Sequence, residues 1–244
     1  MVPTITVDHR RALDEQGYTI FSHVFTTEEM DELAEKIEAH QRRHQEALRS
    51  SGGTQGISRA EEITFTSHLA ENDDFIREFC LRPEFVHLTR ELLGPDVDLY
   101  WNQSVFKMPE GEKQFPWHQD DGYTPVSPSP YLTLWLALND ATPENGCVSV
   151  LPGSHKKGLL PHENTPIGLA CHPLDDPDQG VMVPVKAGSI AAFWSLTAHK
   201  SGVNVSKGPR KAYIIQYSKH PLTNLRTGET LEHKIAVLRD GQPV

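Results

Sequence analysis

Apolar residues first fall into a helical rhythm after Phe25, where Met30, Leu33, Ala34 and Ile37 make one stripe. Thr26 and Glu29 form a capping box at its start, and Phe25 and Met30 stand at hydrophobic-staple positions. The pattern predicts an amphipathic helix that buries one face. From His40 to Arg49 it turns polar all round and runs into Ser50-Ser51-Gly52-Gly53, so its far end is expected to project or fray. Shorter helices are predicted from Asp8 to Gln16, with Asp8 as cap and Gly17 as stop, from Asp74 to Leu81, and from Pro83 to Leu93, closed by Gly94. Tyr18 to Phe21 reads as extended.

After Gly94 the texture changes to short alternating segments broken by Gly, Pro and Asn, as in an all-β sandwich or barrel. Strands are predicted over Asp98 to Met108, Trp117 to Asp120, Tyr131 to Leu138, Cys147 to Leu151, Val181 to Val185, Ser189 to Trp194 and Arg210 to Ser218. The third shows its faces most clearly. Leu132, Leu134, Leu136 and Leu138 lie on one side, suited to packing under the helices, and Tyr131, Thr133, Trp135 and Ala137 on the other, facing the barrel interior. The chain is expected to be one domain: residues 1–94 mainly helical support, 95–218 the β core, and 219–244 a C-terminal tail.

Composition narrows the function classes. A net charge of -10 opposes a phosphate backbone as partner, so nucleic acid is not expected. No apolar run approaches the roughly 18 residues of a membrane span, and no leader pattern opens the chain, so a cytoplasmic setting without a membrane partner is expected. Cys80, Cys147 and Cys171 have no metal-knuckle spacing and read as buried free thiols.

The candidate chemistry centres on Trp117-His118-Gln119-Asp120-Asp121-Gly122-Tyr123. In extended backbone residues i and i+2 share a side, so His118 and Asp120 can close on one metal ion while Gln119 faces away; Gly122 then permits a turn. A second near match, His44-Gln45-Glu46, sits in a helical pattern where i and i+2 diverge, and reads as solvated surface. Further along, His199 follows the apolar run Ala191-Ala192-Phe193-Trp194, with Ser201 on its side of an extended chain. Arg210 shares a strand face with Ala212 and Ile214, and an inward guanidinium needs an anion, for which a carboxylate is the bidentate match.

Taken together, an H-x-D pair, a distal His and an Arg eleven residues after it resemble the iron(II) and 2-oxoglutarate dioxygenases, and within them the phytanoyl-CoA dioxygenase family. The resemblance runs from about Lys107 to Ser218 and includes Glu144-Asn145-Gly146-Cys147, Leu151-Pro152-Gly153-Ser154-His155-Lys156 and His199-Lys200-Ser201-Gly202. It implies a double-stranded β-helix, a cupin-like jelly roll with the N-terminal helices on its larger sheet. It also implies iron(II) held by His118, Asp120 and His199, with 2-oxoglutarate and O2 as cosubstrates. Arg210 would grip the far carboxylate of 2-oxoglutarate, helped by Ser201, with Trp135 and Gln103 nearby; Tyr123, Ala212 and Ile214 would meet substrate. His155 and His162 are left as loop or surface residues.

The implied reaction oxidises a C–H bond of a small molecule while 2-oxoglutarate becomes succinate and CO2. A carboxylate at position 120 favours hydroxylase over halogenase chemistry, since related halogenases carry a small residue there. Two rivals stay open: a metal-dependent cupin-like isomerase or hydrolase, and a non-catalytic 2-oxoglutarate- or metabolite-binding protein. The acidic balance and the Asp121 to Tyr131 stretch point to a free metabolite with a cationic or hydroxylated group rather than a CoA thioester. Monomer and homodimer remain equally open.

Overall fold

The computed structural model describes residues 2–55, 58–59, 62–109, 114–171, 180–232 and 235–244. The helices are α1 (Val7–Gln16), α2 (Thr27–Ser50), α3 (Leu69–Asn72), α4 (Asp74–Cys80) and α5 (Pro83–Leu93). The principal strands are β1 (Tyr18–Phe21), β2 (Ile63–Ser67), β3 (Val97–Lys107), β4 (Phe115–His118), β5 (Leu132–Ala137) and β6 (Val148–Val150). They continue with β7 (Val181–Met182), β8 (Ile190–Trp194), β9 (His199–Ser201), β10 (Arg210–Lys219) and β11 (Ile235–Arg239).

Two antiparallel sheets face each other. The larger runs β1-β8-β5-β10-β3-β2 and continues into the short 54–59 hairpin, with β11 paired to the start of β3; the smaller runs β7-β6-β9-β4. Successive strands from β3 to β10 alternate between the two sheets, except that β6 and β7 both lie in the smaller one, which is the double-stranded β-helix expected.

Burial sorts the two faces of the larger sheet. Leu132, Leu134, Leu136 and Leu138 join Tyr213, Ile215 and Tyr217 of β10 in one apolar layer with Met30, Leu33 and Ile37 of α2, Phe79 of α4 and Phe85 of α5. Each such buried side chain contributes about 1.5–3 kcal/mol. A one-residue slip would turn this row toward the opposite sheet, so the leucines also hold Thr133 and Trp135 to the interior. Tyr213 donates to Asn102 Oδ1 (3.0 Å) and Tyr217 to the Cys80 carbonyl (2.6 Å), which keeps both phenols on the helix side. All three cysteines are buried free thiols.

Several local expectations change. The N-cap of α1 is Thr6, whose side chain accepts from His9 N, rather than Asp8. The second half of α2 neither projects nor frays: Leu48 is fully buried, and Gln41 donates to Thr64 and accepts from Thr66 Oγ1. Its polar face meets β2, a strand near the sheet edge that the predicted helical region conceals because Ile63-Thr64-Phe65-Thr66-Ser67 mixes apolar and hydroxyl residues without flanking turn signals. The tail also adds β11 to the larger sheet, where Arg239 Nη2 meets the buried Asp98 carboxylate at 2.5 Å. The predicted strand list lacks β9, which is only three residues long.

If the leucine row organises the larger sheet, Leu134→Ala will lower the unfolding free energy by about 2–5 kcal/mol, read from urea denaturation. Retention of wild-type stability would show that the layer is not packed as described.

Candidate active site

Asp120 leaves the strand that brings it. β4 ends at His118, Gln119 stays extended (φ -113°, ψ 140°), and Asp120–Gly122 form a 3-10 turn instead of continuing the predicted strand. The extended step at Gln119 is enough to put His118 and Asp120 on one side. Gln119 points the other way, fully buried, donating to the carbonyls of Gly158 and Leu196 (2.9 and 2.7 Å) and accepting from Leu160 N (2.7 Å). Gly122 is required for space rather than for turning: a Cβ there would lie 2.7 Å from His162 Nε2. That imidazole is not a surface group, because its Nε2 accepts from Gln119 N at 3.1 Å.

His199 comes from β9, which pairs with β4 so that His199 and His118 are direct partners. The turn before it is tied down by the Leu151-Pro152-Gly153-Ser154 segment. Ser154 Oγ donates to Leu151 O (2.7 Å) and accepts from Ala198 N (2.9 Å), while Thr197 Oγ1 donates to Gly17 O (2.9 Å). His155, read from sequence as surface, hydrogen-bonds through Nε2 to Asp14 O at 3.0 Å and so links this segment to α1. Gly146, at φ 77°, lets the 143–146 turn close on the residue after β9; a Cβ would sit 2.4 Å from Gly202 O.

Each ligand-type side chain has one heteroatom already occupied. His118 Nδ1 donates to Pro116 O (2.9 Å) and His199 Nδ1 to Thr197 O (3.0 Å), which leaves both Nε2 lone pairs toward a common point. Asp120 Oδ2 accepts from Thr133 Oγ1 (2.7 Å) and Gln216 Nε2 (2.9 Å). Its Oδ1 lies 3.8 Å from His118 Nε2 and 3.6 Å from His199 Nε2. One ligand atom from each of these residues fits within 4.8 Å of the others, an arrangement that could hold a metal ion. The donors are imidazole nitrogen and carboxylate oxygen without thiolate, a set suited to iron(II) with open positions. Burial holds the His118 imidazole well below its ordinary pKa, and the neighbouring His199 adds to this, so His118 is a neutral ligand at physiological pH.

These residues open on a cavity of about 680 Å³ between the sheets. Arg210, only 1% exposed, lines it with its guanidinium 5.2 Å from the Trp135 ring centre. Ser201, Trp135, Gln103, Tyr123 and Ile214 also line the cavity. Ala212 does not: it faces inward but is packed against the interior layer containing Trp135 and Val148. Asp121 turns away, its Oδ2 accepting from Ser129 Oγ. Sequence reasoning missed Thr133 and Gln216, although alternation along β5 and β10 puts both on the interior face. It also missed His44, which lines the cavity although its sequence context reads as surface.

A double-stranded β-helix carrying two imidazoles and a carboxylate in this relation, beside a buried arginine, defines the class of iron(II)- and 2-oxoglutarate-dependent oxygenases, and the chain is one of them. It belongs to the family described as Phytanoyl-CoA dioxygenase (PhyH), whose pattern matches residues 13–212. It is 27% identical over 223 residues to a Stutzerimonas stutzeri protein described as "Probable alpha-ketoglutarate-dependent hypophosphite dioxygenase", covering 86% of this chain and 78% of that one. The peroxisomal phytanoyl-CoA dioxygenase of Homo sapiens is 25% identical over 231 residues, covering 88% and 68%. Among solved structures, the non-heme alpha-ketoglutarate-dependent carbocyclase SnoK from nogalamycin biosynthesis superposes with a TM-score of 0.77 at 23% identity. The match covers 97% of this chain and 99% of that one, and shows the shared fold.

Replacing both donors to Asp120 Oδ2, as Thr133→Val with Gln216→Leu, frees the carboxylate to rotate. Iron(II) affinity should fall about 10–100-fold in chelator competition while circular dichroism stays unchanged. Unaltered affinity would show that the two hydrogen bonds do not orient Asp120.

Proposed function

We propose that His118, Asp120 and His199 hold iron(II), that Arg210 receives the far carboxylate of 2-oxoglutarate, and that the enzyme oxidises a C–H bond of a free small metabolite. The observation carrying this reading is the convergence of two Nε2 atoms and Asp120 Oδ1 on a cavity that also contains the buried Arg210. Iron(II), 2-oxoglutarate and O2 together supply the oxidising power as 2-oxoglutarate is converted to succinate and CO2.

The chain's own residues do the rest. His118, Asp120 and His199 would hold the iron at the cavity wall, where cosubstrates could reach it, and the occupied Nδ1 and Oδ2 atoms prevent these side chains from turning away. Trp135 packs a cation–π face against the Arg210 guanidinium, which can meet a carboxylate in bidentate fashion, and Ser201 offers a hydroxyl on the same cavity. The mostly apolar lining excludes water around the reacting bond. A metal-dependent hydrolase or isomerase would have no use for a buried arginine here, and a pure binding protein none for three oriented ligands. Asp120 keeps its carboxylate, which supports hydroxylase rather than halogenase chemistry.

For substrate class, the names of relatives range from phytanoyl-CoA to hypophosphite oxidation, so membership leaves the choice to the cavity. The net charge of -10 disfavours a phosphorylated CoA handle. The cationic group expected from sequence loses its support, because Asp121 is bonded to Ser129 and does not line the cavity. A cytoplasmic setting, action as a monomer or homodimer, and the absence of nucleic-acid or membrane partners complete the proposal. Among the described residues no helix is long and apolar enough to cross a membrane.

Two outcomes test this. Anaerobic protein with iron(II) and 2-oxoglutarate should show the weak visible charge-transfer band of chelated cosubstrate, and Arg210→Ala should weaken 2-oxoglutarate by about 2–5 kcal/mol with little effect on iron. An equal loss for both would remove Arg210 from this role. In a screen of metabolites for stimulated succinate release, turnover is expected with free small molecules. Stoichiometric hydroxylation of acyl-CoA thioesters alone would overturn the substrate class.

A further inference from the structure

The sheet register gives the cavity a direction. Trp135, Ile214, Gln103 and Ser67 form one row across four adjacent strands, each the direct partner of the next. Asp120 is bonded to Thr133 and Gln216, one step along the same strands, so the ligand cluster sits over β5 and β10. From β10 the row crosses two more strands to β2, about 10 Å at the usual strand spacing. Beyond β2, α2 supplies His44, whose Nε2 lies 3.4 Å from Ser58 Oγ.

The floor of this distal arm is apolar, with the rings of Trp101 and Phe65 and the side chain of Val105 lining it. Its far end is not. His44, Ser58, Thr66 and Ser67 all reach the cavity there. Gln103 accepts from Ser67 Oγ (3.3 Å) through Oε1, and its Nε2 has no hydrogen-bond partner among the described residues, leaving two N–H donors beside the cavity. Ser58 Oγ is engaged with the Phe65 backbone at both N and O, so His44 Nε2 is the donor toward it and the imidazole keeps its acceptor at Nδ1. An aliphatic tail filling this arm would cover those groups without bonding them, at a cost that a matching substrate avoids.

We propose that this arm is a substrate-recognition site for an uncharged, ring-bearing molecule with a hydroxyl about two strand spacings (~10 Å) from the carbon to be oxidised, and that Gln103 and His44 are its specificity-determining residues. The flat body lies on Trp101 and Phe65, and the polar end is bonded by the Gln103 amide and the His44 ring. Burial lowers the His44 pKa, in keeping with a neutral imidazole that donates to Ser58 from Nε2 and keeps its acceptor at Nδ1. Gln103, expected from sequence to serve the cosubstrate, thereby moves to the substrate. This deepens the active-site reading above and rests on it.

The test uses 4-phenylphenol and biphenyl, which share a body about the length of the arm and differ by one hydroxyl, together with octanoyl-CoA. Each is titrated calorimetrically into the full chain loaded with iron(II) and 2-oxoglutarate without oxygen. Wild-type protein should bind 4-phenylphenol about tenfold more tightly than biphenyl, the value of one well-made hydrogen bond. Gln103→Leu and His44→Leu should each reduce that ratio while leaving biphenyl affinity and the cosubstrate charge-transfer band in place. Equal affinity for the two probes, an unchanged ratio in both variants, or tight binding of octanoyl-CoA alone overturns the inference. Loss of the band in wild-type protein would instead overturn the active-site reading beneath it.

Discussion

Convergence of three ligand atoms depends on what the protein does with the other heteroatom of each side chain. An imidazole can turn either nitrogen inward and a carboxylate can swing either oxygen, so proximity alone would leave several competing arrangements. Here the Pro116 and Thr197 carbonyls occupy both Nδ1 atoms, and Thr133 and Gln216 together occupy Asp120 Oδ2. The site is therefore preorganised by ordinary hydrogen bonds to strand and turn backbone, with orientation settled before any metal arrives.

Those hydrogen bonds depend in turn on sheet register. Thr133 and Gln216 are direct partners on β5 and β10, and both are held inward because the leucines of β5 and the tyrosines of β10 are buried on the opposite face. Apolar packing on the helix side thus determines polar geometry on the cavity side. The same coupling reaches the distal histidine, since the 151–154 segment binds the turn before β9 while α1 is bonded to that segment. Fold and site are two faces of the same strands.

The helices conceal a second consequence of layering. α2 is long enough to do two jobs: its first half supplies the apolar stripe that covers the sheet, and its second half turns polar residues toward β2 and the cavity. A polar helical segment ordinarily reads as solvated. It can equally be one whose partner is a polar strand near the sheet edge, and only the position of that strand separates the two cases.

Local chemistry made much of the protein legible. The Thr26/Glu29 capping box, the inward and outward rows of β5 and β10, the His118 and Asp120 pair with Gln119 turned away, and the placement of His199 and Arg210 all follow from periodicity, spacing and a family resemblance. Strand alternation is a nearest-neighbour property, so sequence determines it directly. What joins residues far apart in the chain was decided only on folding: Gln216 on Asp120, His162 on Gln119 N, Ser154 on Ala198 N, and His44 beside β2. None of these carries a local signature, because a hydrogen bond across 96 residues is specified by the packing of entire layers. Asp120 showed both sides of this division: the extended step at Gln119 set its direction, but the tertiary contacts of Oδ2 decided which oxygen faces the histidines.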